Sequence, residues 1–357
     1  MTPTTTSDSD ATQPLAGRRV GVSARDVARQ AGVSTASVSY VFNARGGVSQ
    51  ATRDHVIAVA ERLGYDRPVR ARERRTLDVL GLALSNVANP FYPELSVAFC
   101  AAAAQRGFGV FLAHTDDDDD SASTTIRSMI ERGVDGIAIA VARSDSAEPV
   151  RDMRRARLPF VQISRTYTGV GADFVGIDDV AAAREIAAHA LGHGRGPVAT
   201  VIGPRSSSAS ADRERAFLTE ARAAGAEVPP AYRISVPLTL EGGRTAAERL
   251  LALPVPPRFV LCGSDVLALG VMTHAQSRGL NVPGDIAITG FDGVEVCATE
   301  MIRLTGVVQP HVDMARRAVD VLIDRIEGRR STTTRARIPH ALRIGRTCGC
   351  PREEREN

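Results

Sequence analysis

From Asp78 onward the chain repeats one rhythm, in which a short β-branched or apolar run is followed by a helical stretch and then another run. The runs are Val79 to Leu84, Phe108 to Ala113, Gly136 to Val141, Phe160 to Ile163, Val198 to Ile202, Arg258 to Leu261 and Ile286 to Thr289. Strands separated by helices cannot pair as hairpins, so this rhythm predicts βαβ units, parallel sheets and an α/β body. Parallel sheets place ligands outside the carboxyl ends of their strands, so a site is to be sought in the loops just after the runs.

Those loops carry no enzyme signature. There is no GxGxxG opening a helix after a strand, no Walker loop and no GxSxG elbow, and the seven histidines form no spaced metal set. The serine-rich run Arg205 to Ser210 lacks glycines and reads as a flexible loop, not a phosphate cradle. The unbroken acids Asp116 to Asp120 lack the alternation of a calcium loop and read as a solvated turn. Of the five cysteines none forms a CxxC pair, and Cys348-Gly-Cys350 lies in a basic tail with no ligand beside it in sequence. Reduced thiols, no metal, no cofactor and no catalysis are therefore expected.

Three hundred and fifty-seven residues, 43% of them apolar, exceed one ordinary domain, so a small and a large domain are expected. No segment approaches the ~18 unbroken apolar residues that span a bilayer. Residues 1–17, MTPTTTSDSDATQPLAG, lack a basic start and an apolar stretch. They read as a disordered leader on a cytoplasmic protein that meets no membrane.

Charge is segregated. Residues 18–76 hold twelve arginines against five acids, while the rest of the chain is mildly acidic. A basic head on an acidic body suits nucleic-acid binding, although basic segments also arise as plain solvated surface. Every basic residue is Arg, with no Lys anywhere. A bias acting on the whole chain weakens any local argument from arginine.

Within the head, residues 18–66, Ser23 and Asp26 are spaced as a capping box, which predicts a helix start. Val27, Ala28 and Ala31 share one face, and Gly32-Val33-Ser34 supplies a stop and a new N-cap. A second helix is expected from Thr35 to Phe42 with Val38, Val41 and Phe42 inward and Thr35, Ala36, Ser39 and Tyr40 outward. A third opens at Ser49, with Val56, Ile57, Ala60 and Leu63 inward, and stops at Gly64. Three short helices with a tight turn make a helix-turn-helix or an ordinary small bundle, and periodicity leaves the two at parity.

The residues themselves carry a resemblance. ARDVARQAGVSTASVSYVFNARGGVSQATRDHVIAVAERLGY, residues 24–65, resembles without gaps the DNA-binding head of the LacI/GalR family of bacterial transcription regulators, with its DVAxxAGVSxxTVSxVLN and VSxxTRxxVxxAxxxLGY blocks. The resemblance implies that Thr35, Ala36 and Tyr40 read bases in the major groove of operator DNA. It implies that Ser34, Ser37, Ser39, Asn43, Ser49 and Thr52 hold the phosphate backbone. Tyr40 departs from the arginine commonest at its position, which removes a bidentate guanine contact. In the linker, residues 67–77, the family's RPNxxARSL folds into a hinge helix whose leucine wedges the minor groove. Here Val69 replaces the helix-starting asparagine and Arg74 lies near the leucine position. The wedge is expected to be missing.

The resemblance continues through the body in GLALSNVANPFYPEL (81–95), GVDGIAI (133–139), Asp212-Arg213 to Phe217, CGSDVLALG (262–270), VPGDIAITGFD (282–292) and VVQP (307–310). It implies a two-lobed, doubly wound, periplasmic-binding-protein-like domain over residues 78–345, with a polar tail at 349–357. One lobe would take about 78–176 and 309–338, and the other about 177–308 and 339–348, the chain crossing three times. The cleft between them would present Phe91, Tyr92, Ser164, Arg165, Arg213, Ser264, Asp265, Asp292 and Gln309 to a small-molecule effector. An arginine fork, a carboxylate and an aromatic face suit a hydroxylated ring. Ser264 replaces a frequent asparagine and Ser164 a frequent aspartate, which shortens the polar reach and points to a ligand bulkier than a simple hexose, or to one that is not a sugar. Asp265 also reads as a helix cap and Asp292 as a turn residue.

One head neutralises few phosphates, so a homodimer on a near-palindromic operator is expected. Family habit favours repression. An importer's solute-binding protein explains the body equally well, but has no use for a basic head. An enzyme on a doubly wound sheet would need the cofactor loops that are missing.

Overall fold

The computed structural model describes residues 22–42, 48–63, 65, 78–115, 118–140, 147–194 and 196–350. The leader, the linker with Val69 and Arg74, Asn43, Gly64, and the tail beyond Cys350 lie outside the described residues. The chain separates into two compact units, Met1–Thr76 and Leu77–Asn357.

In the first unit α1 (Ala24–Ala31) opens on a reciprocal cap. Asp26 N donates to Ser23 Oγ at 3.4 Å, and Ser23 N donates to Asp26 Oδ2 at 3.0 Å. Gly32, at φ 65°, ends the helix in the left-handed conformation that costs glycine least. Ser34 and Ser49 then cap α2 (Thr35–Phe42) and α3 (Gln50–Leu63), accepting from Ser37 N at 3.0 Å and Thr52 N at 3.2 Å. The apolar faces close on one another through Val27, Ala28, Ala31, Val38, Val41, Val56, Val59 and Ala60. Ile57 was expected inward but is 36% exposed, and Val59 is buried instead. Val56, Val59, Ala60 and Leu63 follow the i, i+3, i+4, i+7 rule, which turns Ile57 about 100° away from the core.

The second unit holds two six-stranded sheets. The first contains β1 (Val79–Leu84), β2 (Gly109–His114), β3 (Gly136–Ile139), β4 (Phe160–Ile163), β5 (Asp173–Gly176) and β11 (Arg335–Arg337), in the order β11-β5-β4-β3-β1-β2. Between these strands run α4 (Phe91–Gln105), α5 (Asp119–Glu131) and α6 (Glu148–Arg155). The second sheet contains β6 (Val198–Ile202), β7 (Arg233–Ser235), β8 (Phe259–Cys262), β9 (Ala287–Asp292), β10 (Thr305–Val308) and β12 (Ala341–Arg343), in the order β12-β10-β9-β8-β6-β7. Its helices are α7 (Asp179–Leu191), α8 (Ser208–Ala223), α9 (Leu240–Leu251) and α10 (Asp265–Ser277). Every strand pair is parallel except β10 with β12.

The chain passes to the second sheet after β5 and returns after β10 in α11 (His311–Ile326). It then adds β11 to the first sheet and β12 to the second, which makes the third crossing. Arg325 of α11 binds Asp173 of β5 as a fork, with Nε to Oδ2 at 2.7 Å and Nη2 to Oδ1 at 3.1 Å, so the returning helix is tied to the first lobe. One apolar core runs through both lobes, and a second fills the outer face of the first around Ile126, Met129, Ile137 and Ile139. Helices α9 and α10 approach so closely that a Cβ at Gly270 would stand 2.3 Å from Leu240 O and 2.7 Å from Gly243 Cα.

Each of the seven expected runs contains a strand. The short strands β5, β7, β10 and β11 were not among the expected runs, because three or four residues of mixed polarity show no period. The serine run is also corrected. Ser207 is the N-cap of α8, and Ser208 and Ser210 form its first turn, because a serine-rich stretch suits a helix start as well as a loop. In the acid run, Asp118 accepts from Ser121 N at 2.8 Å and caps α5, while Asp116 and Asp117 lie outside the described residues. No helix among the described residues is long and apolar enough to cross a membrane.

Candidate functional site

On the head, Ser34, Thr35, Ala36, Ser39 and Tyr40 are exposed at and beyond the N-terminus of α2, and Ser37 is half-buried. Ser34 Oγ and Ser37 Oγ lie 2.9 Å apart, and Ser49 Oγ and Thr52 Oγ1 lie 2.8 Å apart, so both helix starts show a hydroxyl pair. Hydroxyls beside helix N-termini, where the dipole is positive, form good phosphate seats. Arg53 Nη1 donates to Val41 O at 2.9 Å and fixes α3 against the end of α2. Tyr40 is 41% exposed, well placed for an amphipathic ring to reach into a groove. Asn43 lies outside the described residues.

In the second unit, the loops that follow β1, β4, β6, β8 and β9 meet around a small cavity of about 20 Å³. Seven of the nine residues expected in the cleft line it: Phe91, Tyr92, Ser164, Arg165, Arg213, Ser264 and Asp292. Phe91 and Tyr92 open α4 edge to face, with ring centroids 5.0 Å apart, and Arg165 lies 5.5 Å from the Tyr92 centroid. Ser85 Oγ donates to Tyr92 Oη at 3.1 Å, and Phe91 N donates to Asn89 Oδ1 at 3.2 Å, which hold the rings in place. Ser164, at φ 65°, turns the chain sharply after β4 so that Arg165 can enter.

On the opposite wall, Arg213 is buried and makes three hydrogen bonds. Its Nε donates to Asp179 Oδ1 at 2.8 Å, and its Nη1 donates to Gly263 O at 2.7 Å and to Asp292 Oδ1 at 3.3 Å. The guanidinium also lies 3.6 Å from the centroid of Phe291. Ser264 Oγ donates to Asp292 Oδ2 at 2.7 Å, and Gln309 Nε2 donates to Asp292 Oδ1 at 2.8 Å. Burial pushes the carboxyls of Asp292 and Asp179 above the usual range, with Arg213 pulling both back.

The other two expected residues stand behind this wall. Gln309 reaches the cavity only through Asp292. Asp265 is buried and accepts from Gly293 N and Val294 N, both at 2.9 Å, so it shapes the loop that carries Asp292. Burial raises the Asp265 carboxyl to about 7, with Asp292 adding to the rise. The lining also includes Asn89, Ser207, Ala209, Ser210, Leu238 and Gly263, which the sequence reading did not single out. The serine run held the signal for Ser207 and Ser210.

Two contacts join the lobes beside the cavity: Thr166 N donates to Ser208 Oγ at 2.9 Å, and Glu295 N donates to Glu94 Oε1 at 2.9 Å. At this volume the cavity holds about one water and lies far below the roughly 300 to 1,000 Å³ usual for small-molecule pockets, so the lobes are closed on one another. A larger groove around Arg258, His274 and Asp285 opens where β8 and β9 begin. That is the amino end of the sheet, opposite to where parallel sheets hold ligands.

Comparison with known proteins agrees with both units. Residues 23–67 match the model of bacterial regulatory proteins of the lacI family. Residues 77–346 match that of periplasmic binding proteins and the sugar binding domain of the LacI family. The transcriptional repressor CytR of Escherichia coli strain K12 is 30% identical over 309 residues, covering 85% of this chain and 89% of that protein. The transcriptional regulator MalR of Streptomyces coelicolor is 32% identical over 311 residues, covering 85% and 90%. The structure of the transcriptional regulator CelR in complex with cellobiose superposes with a TM-score of 0.70 at 27% identity, covering 91% of this chain and 99% of that one. The chain belongs to the LacI family of bacterial regulatory proteins, and is a DNA-binding transcription regulator with a helix-turn-helix head and a periplasmic-binding-protein-like effector domain.

Proposed function

We propose that this regulator is a homodimeric repressor whose affinity for its operator is set by a small hydroxylated metabolite, such as a sugar, held between the two lobes. The observation that carries this reading is the polar wall of Arg213, Asp292 and Ser264 facing the rings of Phe91 and Tyr92 across one cavity. A fork and a carboxylate bond vicinal hydroxyls, while an aromatic ring covers the apolar face of a sugar. The relative CelR is described with cellobiose, a ligand of this chemistry. At about 20 Å³ the cavity admits no ring as it stands, so the lobes must open before such a ligand enters.

On the head, Thr35, Ala36 and Tyr40 would read base edges, while Ser34, Ser37, Ser39, Asn43, Ser49 and Thr52 would hold phosphates. The body would act as a two-lobed clamp over residues 78–345, binding its ligand without transforming it, as befits a relative of regulators. A chromosomal operator sets its place of work in the cytoplasm. The dimer would form on the groove between α4 and α11, where Val97 is 71% and Val312 58% exposed beside Ala98 and Ala101. Such apolar side chains gathered on one face ask for a cover.

The test is to select genomic fragments with the purified protein, then titrate the selected operator with a panel of sugars and nucleosides while following fluorescence anisotropy. A preferred palindromic sequence whose affinity changes with one of these compounds supports the reading. Selection of no common sequence would sink it.

A further inference from the structure

Far from the effector cavity, four ligand-bearing side chains meet: His189, His193, Cys348 and Cys350. His189 lies in the last turn of α7 and His193 just past its Gly192 cap, the two rings edge to face with centroids 5.0 Å apart. The two cysteines flank Gly349, whose φ of 91° turns the chain so that both sulfurs point the same way. That turn is anchored to the second sheet, since Thr347 Oγ1 donates to Ile288 O at 2.7 Å and accepts from Thr305 N at 3.0 Å. Both cysteines are buried, and both histidines are half-buried.

We infer that His189, His193, Cys348 and Cys350 form a tetrahedral zinc site that fastens the Cys348–Cys350 turn to the end of α7. The separations bracket those of a coordination shell. Cys348 Sγ lies 3.1 Å from Cys350 Sγ and 3.5 Å from His189 Nε2, and Cys350 Sγ lies 3.4 Å from the Nε2 of both His189 and His193. All four ligand atoms fall within 4.8 Å of one another. Zinc bond lengths to sulfur and nitrogen, placed at tetrahedral angles, give edges of about 3.4 to 3.8 Å.

The donor set selects the metal. Two sulfurs and two imidazoles in tetrahedral array suit zinc, whereas calcium and magnesium require oxygen. Two thiolates neutralise a dication, so the loaded site carries no net charge into its buried surroundings. Thr305 Oγ1, 3.2 Å from Cys348 Sγ, is placed to donate to that sulfur, an outer contact of the kind that orients ligands. Four protein ligands leave no open position, so the site is structural. It lies about 15 Å along α7 from Asp179, the partner of Arg213, and so stands apart from the effector chemistry.

The experiment uses the tag-free full-length protein, purified under reducing conditions. It is stripped of metal and titrated with cobalt(II), then with zinc. One equivalent of cobalt per chain, with tetrahedral ligand-field bands and thiolate-to-cobalt charge transfer that zinc abolishes, supports the site. In Cys350→Ser the charge-transfer intensity should fall, and in both Cys350→Ser and His193→Ala the affinity should weaken at least tenfold. Thermal melting of the parent before and after chelation provides a second readout, and the melting temperature should drop on metal removal. Absence of tetrahedral bands, bands unchanged in Cys350→Ser, or a Cys348–Cys350 disulfide in place of two reactive thiols would each overturn the proposal.

Discussion

Arg213 Nη1 stands 3.3 Å from Asp292 Oδ1, while Arg213 Nε, on the other side of the same guanidinium, binds Asp179 Oδ1 at 2.8 Å. One buried cation therefore serves the effector cavity and the start of α7 together. Arg213→Ala would leave two buried carboxylates without their ion partner and should destabilise the body by about 3 to 5 kcal/mol. Asp292→Asn is the gentler probe, since it keeps the shape and the Ser264 and Gln309 neighbours but removes the charge. It should leave operator affinity without effector within about twofold and weaken the effector response at least tenfold, because the ligand's hydroxyls lose a charged acceptor. An unchanged response in anisotropy titrations would remove Asp292 from the binding site.

Tyr40 offers a clean test of the head, because it is exposed and supports none of the core. Tyr40→Ala should relax the preference at one operator position and cost about 1 to 3 kcal/mol of specific affinity, with the fold intact by circular dichroism. A selection assay that returns the parental sequence preference at every position would show that the ring does not read bases.

For the dimer, a charge placed at Val97 is the decisive probe. Val97→Asp on α4 would put a carboxylate in the apolar groove shared with α11, where desolvating it is costly. Sedimentation equilibrium should show a monomer at concentrations where the parent is dimeric, and operator affinity should fall about a hundredfold or more, because the second half-site is lost. A variant that stays dimeric would move the interface elsewhere.

Asp265 sets a pH dependence whose sign follows from its raised carboxyl. Burial, then Asp292, lifts it to about 7 from the ordinary 3.8, so the folded protein holds a proton that the unfolded chain releases. Its contribution is fully present below about pH 4 and is lost as pH rises through about 7, at no more than about 1.4 kcal/mol per unit. Urea unfolding at steps across that window should show the loss in the parent and a flatter profile in Asp265→Asn, whose side chain is neutral throughout. Identical slopes in the two proteins would mean that the carboxyl is ionised at all these pH values.

The effector cavity shows how far a sequence carries. Seven of its lining residues were expected from the family resemblance, whose motifs fall at or just beyond the carboxyl ends of strands, the end of a parallel sheet where ligands lie. Asp265 and Gln309 come from the same motifs, yet they stand behind Asp292, because a motif fixes which loop a residue occupies and not which way its side chain turns. Ile57 and Val59 differ by about half a helical turn, and only packing against α1 chose between them.

By itself the sequence determined the three-helix head, the alternation of strands and helices, and the loops in which a ligand site must lie. Capping, period and turn chemistry act within a few residues and can be read in one pass along the chain. The tertiary structure alone decided which distant groups became neighbours. Asp179, Arg213 and Asp292 share one buried network across three elements. Cys348 and Cys350 looked bare of ligands until α7 brought His189 and His193 beside them. Contacts between residues so far apart in sequence come from how sheets and helices stack, and no local period records them.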